Sequence, residues 1–124
     1  MILDFLAAAL LLIGALFILT ATIGIVRMPD LYLRMSAVSK AATLGIACIL
    51  LGVALIFADV SVSARALAAI IFIMLTAPVA SHLIGRAGYI TGVPLWQGTI
   101  RDDLRGRYDE KTHVLTSQPD NKRV

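Results

Sequence analysis

Two residues in the stretch MLTAPVASHLIGR, which runs from Met74 to Arg86, carry chemistry that is unusual in an apolar helix. Pro78 has no backbone N–H, so a carbonyl of the preceding turn loses its helical partner, and the helix tends to kink. His82 follows one turn later, and an imidazole titrates near neutral pH. The pair has two interpretations: a kink that shapes helix packing beside an interfacial histidine, or the wall of a hydrated ion path shared with a partner subunit.

The rest of the chain offers little further chemistry. Ion and proton carriers usually place an ionisable group in the membrane interior, and no Asp or Glu lies inside the apolar runs, with Asp4 only at a border. A self-sufficient exchanger is therefore not expected. Glycine-rich phosphate loops and paired catalytic carboxylates are missing, and the single cysteine, Cys48, predicts a packing role. The sequence predicts a protein that is not an enzyme and has no metal site and no cofactor.

Composition indicates whether this chain lies in water or in a membrane. Of its 124 residues, 59% are hydrophobic and 15% are charged, and the mean hydropathy is +0.88. These values are far from those of soluble domains and favour a membrane protein, in which each span needs about 20 apolar residues. The predicted fold is all-α, with three transmembrane helices at about residues 3–26, 38–57 and 66–85. The predicted division is a membrane domain over 1–88 and a cytoplasmic polar tail over 89–124.

The distribution of basic residues predicts the orientation. Three of them follow the first span, seven lie from Arg86 to Arg123, and only Arg65 lies on the opposite side. Loops with such an excess stay in the cytoplasm, so the N-terminus is predicted outside and the C-terminus inside. The same distribution explains the pI of 9.4 without any nucleic-acid partner.

The segment RMPDLYLRMSAVSKAATLG, Arg27 to Gly45, predicts a short amphipathic helix on the cytoplasmic surface between spans one and two. Pro29 suits a first helical turn, and Asp30 favours the positive end of a helix. Apolar residues recur at helical spacing over the following positions. Two interpretations stay open for its charges: an ordinary positively charged interfacial loop, or docking on a neighbouring subunit. The basic residues concerned are Arg27, Arg34 and Lys40.

Small residues repeat at helical spacing through the second span. In lipid, such residues let two helix backbones approach, and this drives their association. The spans offer more narrow faces than three short helices can cover, which predicts packing against other membrane subunits or a homo-oligomer. The alternative function is an autonomous small homo-oligomeric pore or a holin-like protein. The predicted helix-packing residues are Ala37, Ala41, Gly45 and Gly52.

Three segments together resemble the G subunits of the multisubunit Mrp-type (also Mnh or Pha) cation/proton antiporters. They are the Arg27–Gly45 segment, LTAPVASHLIGRAGY and GVPLWQGTIRDDL. The family pattern R-x-x-D-x-Y-x-R is matched by Arg27, Asp30, Tyr32 and Arg34, and K-A-x-T-L-G is matched from Lys40 to Gly45. The family's third-span proline and a histidine found in some members fall on Pro78 and His82. Ser36 stands where many members have histidine, so no role of that histidine transfers.

The resemblance implies membership of a hetero-oligomeric complex in the bacterial plasma membrane that exchanges Na+ or another monovalent cation for H+. It implies that the proton-path residues lie in large subunits. The partners it implies are the large A subunit, the small E and F subunits and membrane lipid. On this interpretation Pro78 and His82 are candidates for the cation pathway, while Asp30 and Tyr32 join the basic residues as interfacial or subunit-docking candidates.

Overall fold

A computed structural model describes residues 1–109 and Leu115, so the tail prediction for residues 110–114 and 116–124 lies outside the described part. The chain is helical: α1 is Ile2–Arg27, α2 is Leu31–Ala37, a π-helical turn is Val38–Ala42, α3 is Thr43–Phe57 and α4 is Val60–Ile90. Three stretches are long and apolar enough to cross a membrane: Ile2–Arg27, Leu31–Phe57 and Val60–Ile90. The prediction of three long apolar helices is confirmed.

The separate loop helix between the first two spans is not confirmed. A helix does begin at Leu31, where the Asp30 side chain accepts a hydrogen bond from the Leu33 amide at 2.9 Å and so caps its first turn. However, α2 continues without a break through the π-helical turn into α3. The two helices therefore form one rod, and α2 is its first part.

The connection between α3 and α4 is shorter than the polar stretch of residues 58–65 that separates the second and third predicted spans. Ala58 adopts a left-handed conformation (φ 46°) that ends α3, and Asp59 starts α4 at once. The Asp59 carboxylate accepts hydrogen bonds from the amides of Ser61 (2.8 Å) and Val62 (3.0 Å), which the first turn of a helix leaves unpaired. The prediction missed this early start because the capping residue lies within the polar stretch.

The helices lie side by side with α3 in the middle. α3 packs along α1 and also against α4, while the described residues place no part of α1 next to α4. Gly14 and Gly45 mark the closest approach: a Cβ built on Gly45 would lie 2.8 Å from the Gly14 carbonyl oxygen. Small residues therefore let two backbones touch, as association in lipid requires.

The small residues predicted to pack in the second span lie mostly against α1, and their predicted packing against other subunits stays a prediction. Gly45 and Gly52 are buried against α1, and a Cβ on Gly52 would lie 3.1 Å from the Ala7 carbonyl oxygen. Ala37 lies beside Gly24 of α1, and Ala41 in the π-helical turn is half-buried. Among the described residues no large side chain is fully buried, so the broad faces of this row of helices remain open to lipid or to other proteins.

Candidate functional site

Pro78 and His82 lie on an open face of α4. The helix continues through Pro78 from Val60 to Ile90, so the proline does not break it. Both side chains are exposed, and the neighbouring Leu75 and Val79 are 68% and 59% exposed. The Thr76 hydroxyl donates to the Phe72 carbonyl at 2.8 Å and so is satisfied within its own helix. The two predicted cation-pathway residues thus lie on one exposed surface of α4.

A polar contact joins α4 to the π-helical turn close to His82. The hydroxyls of Ser39 and Ser81 form a hydrogen bond across this interface, and Ser39 also contacts the Met35 carbonyl at 2.8 Å. The Thr43 hydroxyl in turn donates to the Ser39 carbonyl. A π-helical turn disturbs the regular backbone pairing, and such turns are frequent at functional sites. This hydroxyl cluster is one of the few polar spots between the long helices, and no sequence pattern pointed to it.

The chain after α4 folds back and forms a pocket of about 420 Å³ at one end of the row of helices. α2 and the last turns of α4 provide one wall, and residues 95–108 provide the other. His82 is among the lining residues, which links the open face of α4 to this pocket. The residues that line it are Tyr32, Met35, Ser81, His82, Gly85, Arg86, Tyr89, Leu95, Arg101, Asp102, Asp103, Leu104 and Tyr108.

Asp30 holds the returning segment against the start of α2. Its side chain is buried, with the residue 9% exposed, and its second carboxylate oxygen accepts a hydrogen bond from the Trp96 amide at 3.4 Å. Buried carboxylates need such partners, because desolvation of an unpaired one is costly. Asp30 thus serves contacts within the chain, and its part in subunit docking stays a prediction.

Tyr89 fixes the other wall of the pocket. Its hydroxyl donates to the Asp102 carboxylate, with distances of 2.9 and 3.0 Å to the two oxygens, and its ring lies 5.7 Å from the Tyr108 ring. Arg101 pairs with Asp103 at 2.7 Å at the rim. The Tyr32 hydroxyl is buried in the wall and has no hydrogen-bond partner among the described residues. The described residues contain no group of three or more possible metal ligands.

The basic residues predicted to be interfacial are all exposed. Arg27 ends α1, Arg34 lies on α2 and Lys40 lies in the π-helical turn. The Arg34 guanidinium donates from Nε to the Met28 carbonyl at 2.8 Å and so closes the end of α1. The structure therefore brings these charges to the end of the helix row that also carries the pocket.

Comparison with known proteins matches residues 10–89 to the family described as Na+/H+ antiporter subunit (PhaG, MnhG, YufB). The chain is 44% identical over 102 residues to the G subunit of the Na+/H+ antiporter of Alkalihalophilus pseudofirmus, covering 81% of this chain and 86% of the relative. It is 36% identical over 108 residues to the G1 subunit of the Na+/H+ antiporter of Staphylococcus haemolyticus, covering 86% and 92%.

Two solved structures share the fold. One is a chain of the Mrp complex from Dietzia, with a TM-score of 0.78, 28% identity and coverage of 82% of this chain and 92% of that chain. The other is a chain of the membrane-bound sulfane sulfur reductase, an archaeal respiratory membrane complex, with a TM-score of 0.74, 36% identity and coverage of 82% and 94%. On the family match and these identities, the chain belongs to the Na+/H+ antiporter subunit family.

Proposed function

We propose that this chain is a small membrane subunit of a multisubunit monovalent cation/proton antiporter that couples Na+ efflux to H+ uptake in the bacterial plasma membrane. The family match over residues 10–89 carries this proposal, because it includes almost all of the three apolar helices. Apart from Asp4 in the first turn of α1, the long helices hold no Asp or Glu. Proton-carrying carboxylates would therefore belong to other subunits, and this chain supports assembly and shapes the cation path.

The partners are the large A subunit and the small E and F subunits. The open faces of the helix row support this proposal, since an accessory subunit needs apolar surface for its neighbours. Phe72 and Leu75 on α4, at 66% and 68% exposed, are examples. The N-terminus lies outside and the C-terminus in the cytoplasm, because the basic residues gather at one end of the row. Residues 1–88 form the membrane domain, and the tail from residue 89 is cytoplasmic.

A second candidate is a subunit of a respiratory membrane complex, favoured by the 36% identity to the sulfane sulfur reductase chain.

Purification of the chain from its native membrane in mild detergent, with a C-terminal tag, distinguishes the antiporter, the respiratory complex and the autonomous pore. Co-purification of several larger membrane subunits with cation/proton exchange after reconstitution supports the antiporter. Co-purification with redox-active subunits favours the respiratory complex. Recovery of the chain alone, with leakage of cells that overproduce it, supports the autonomous pore and contradicts both.

The contribution of Pro78 to the cation path is tested by Pro78→Ala. Since this residue faces outward and does not break α4, its replacement should leave the complex assembled. Restoring the backbone N–H would close the free carbonyl of the preceding turn and reduce exchange several-fold. Val79→Ala is the matched control, because it removes side-chain volume at the adjacent exposed position without a backbone effect. Normal exchange in fully assembled Pro78→Ala complexes would refute the idea.

The basic cluster is tested by replacing Arg27, Arg34 and Lys40 with glutamine. Each basic residue near an anionic membrane surface contributes about 1 kcal/mol of attraction, so the triple variant should give a lower yield of intact complex. Arg65→Gln on the opposite side is the control and should leave the yield unchanged. Equal recovery of triple variant and wild type in quantitative mass spectrometry would rule out a docking role.

A further inference from the structure

α4 is long enough to carry the pocket at its end beyond the hydrocarbon core of a bilayer. α4 has 31 residues, which corresponds to roughly 46 Å of helix at 1.5 Å per residue. A bilayer's hydrocarbon core is about 30 Å thick, so the ends of α4 extend beyond it. The pocket forms against the last turns of α4, around Arg86 and Tyr89. Its volume of about 420 Å³ is within the usual range of small-molecule sites, about 300–1,000 Å³.

The charges that line this pocket balance. Two arginines, Arg86 and Arg101, face the same space as two aspartates, Asp102 and Asp103. Sites for anionic headgroups are clusters of basic residues with an excess of positive charge. This lining has no such excess: Arg101 and Asp103 pair with each other, and the carboxylate of Asp102 beside them adds a site for a positive group.

The wall around Asp102 suits the positive group. Its carboxylate accepts from the Tyr89 hydroxyl and from the Leu104 amide at 3.1 Å, and a carboxylate has about four acceptor sites. Capacity therefore remains for the N–H donors of an ammonium. The Tyr89 ring, whose hydroxyl binds Asp102, lies beside the Tyr108 ring, and aromatic faces attract ammonium and choline groups alike, so a preference for ethanolamine rests on Asp102.

Arg101, the residue directly before Asp102, suits a phosphate. Arg101 uses its Nε in the pair with Asp103, while its side chain is 80% exposed and a guanidinium has five N–H donors. Terminal N–H groups are thus left for phosphate oxygens, which arginine binds well. The Tyr32 hydroxyl is buried in the wall and has no hydrogen-bond partner among the described residues.

We propose that this pocket binds the zwitterionic headgroup of an ethanolamine phospholipid, with the ammonium at Asp102 and the phosphate at Arg101. Met35, Leu95 and Leu104 supply apolar lining for the glycerol region of the lipid. The proposal is independent of the antiporter function, since it needs only that the chain spans a membrane. The ligand is the lipid and not a soluble phosphoethanolamine, because α4 is long enough to carry the pocket beyond the hydrocarbon core, where headgroups are anchored.

The test is native mass spectrometry of the full chain, purified in mild detergent and mixed with equal amounts of phosphatidylethanolamine, phosphatidylcholine and phosphatidylglycerol. Phosphatidylethanolamine adducts should exceed the others by about tenfold, since a charge-assisted hydrogen bond to the carboxylate requires N–H donors that choline lacks. Asp102→Asn should abolish this preference. Asp4→Asn, which removes an exposed carboxylate at the first turn of α1, is the matched control and should retain it.

Equal binding of the three lipids, or an unchanged preference in Asp102→Asn, would overturn the proposal. Circular dichroism checks that each variant is folded, and Arg101→Gln provides a second variant that leaves the Tyr89–Asp102 contact in place. It should weaken phosphatidylethanolamine and phosphatidylglycerol binding alike, and no loss would contradict the phosphate assignment. Soluble phosphoethanolamine at the lipid's concentration should not displace the adduct, and full displacement would refute the assignment to lipid.

Discussion

The close crossing of α1 and α3 predicts that alanine at position 45 destabilises the chain. A Cβ on Gly45 would lie 2.8 Å from the Gly14 carbonyl oxygen and 3.1 Å from the Ile18 amide nitrogen. Both atoms belong to the backbone, so only separation of the two helices can relieve the collision. Overpacking of this kind costs about 1–3 kcal/mol.

Gly85 provides the matched control. A Cβ there would lie 3.0 Å from the terminal methyl of Met35, which can move aside by rotation of a flexible side chain. Both substitutions replace glycine by alanine within a helix, and the propensity gain of about 1 kcal/mol is common to both. The difference in the free energy of unfolding between Gly45→Ala and Gly85→Ala therefore measures the backbone collision alone. Gly85→Ala should be the more stable variant by about 2 kcal/mol.

The free energy of unfolding is measurable by SDS titration of the chain in mild detergent micelles, read by pulse proteolysis. Gly45→Ala should unfold at a lower SDS fraction than wild type, and Gly85→Ala at an equal or higher one. Equal stability of the two variants would show that the backbones of α1 and α3 do not touch at Gly14 and Gly45, which would refute the packing argument.

Two further predictions concern the segment that follows α4. Asp30→Ala removes the cap of α2 and the acceptor for the Trp96 amide, and the lost cap alone costs about 1 kcal/mol. Limited proteolysis should therefore cut residues 91–108 faster than in the wild type. Asp30→Asn keeps one acceptor oxygen, so its cleavage rate should lie between those of the wild type and Asp30→Ala. Tyr89→Phe removes the hydrogen bond to Asp102 while keeping the ring, at a cost of about 1–2 kcal/mol. It should speed the cleavage of residues 91–108, whereas Tyr108→Phe should not. Equal cleavage rates in the two variants would contradict a structural role for the hydrogen bond.

The three long helices and the small-residue face of the second span could be predicted from the sequence because their causes are local, whereas the helix that packs on this face, α1, was not predicted. Apolar runs of sufficient length define spans, and the spacing of Gly45 and Gly52 places both on one helix face. The π-helical turn at Val38–Ala42 could not be predicted, since it depends on the fit between neighbouring helices rather than on residue type. The same limit applies to Asp30, whose contact with Trp96 joins positions 66 residues apart. Its charge predicted a place at the start of a helix, and only the folded chain shows its burial against the returning segment.

Among the described residues, α3 lies between α1 and α4, and these two helices do not contact each other. The three helices therefore form a layer that is one helix thick. In the part of the chain that the structure describes, three helices in a row have two open sides and enclose no channel between them. Any conduit along the Pro78 and His82 face of α4 must take its opposite half from a second polypeptide. Both polypeptides would then set the ion selectivity at their interface. A substitution in either one could be compensated by a change in the other.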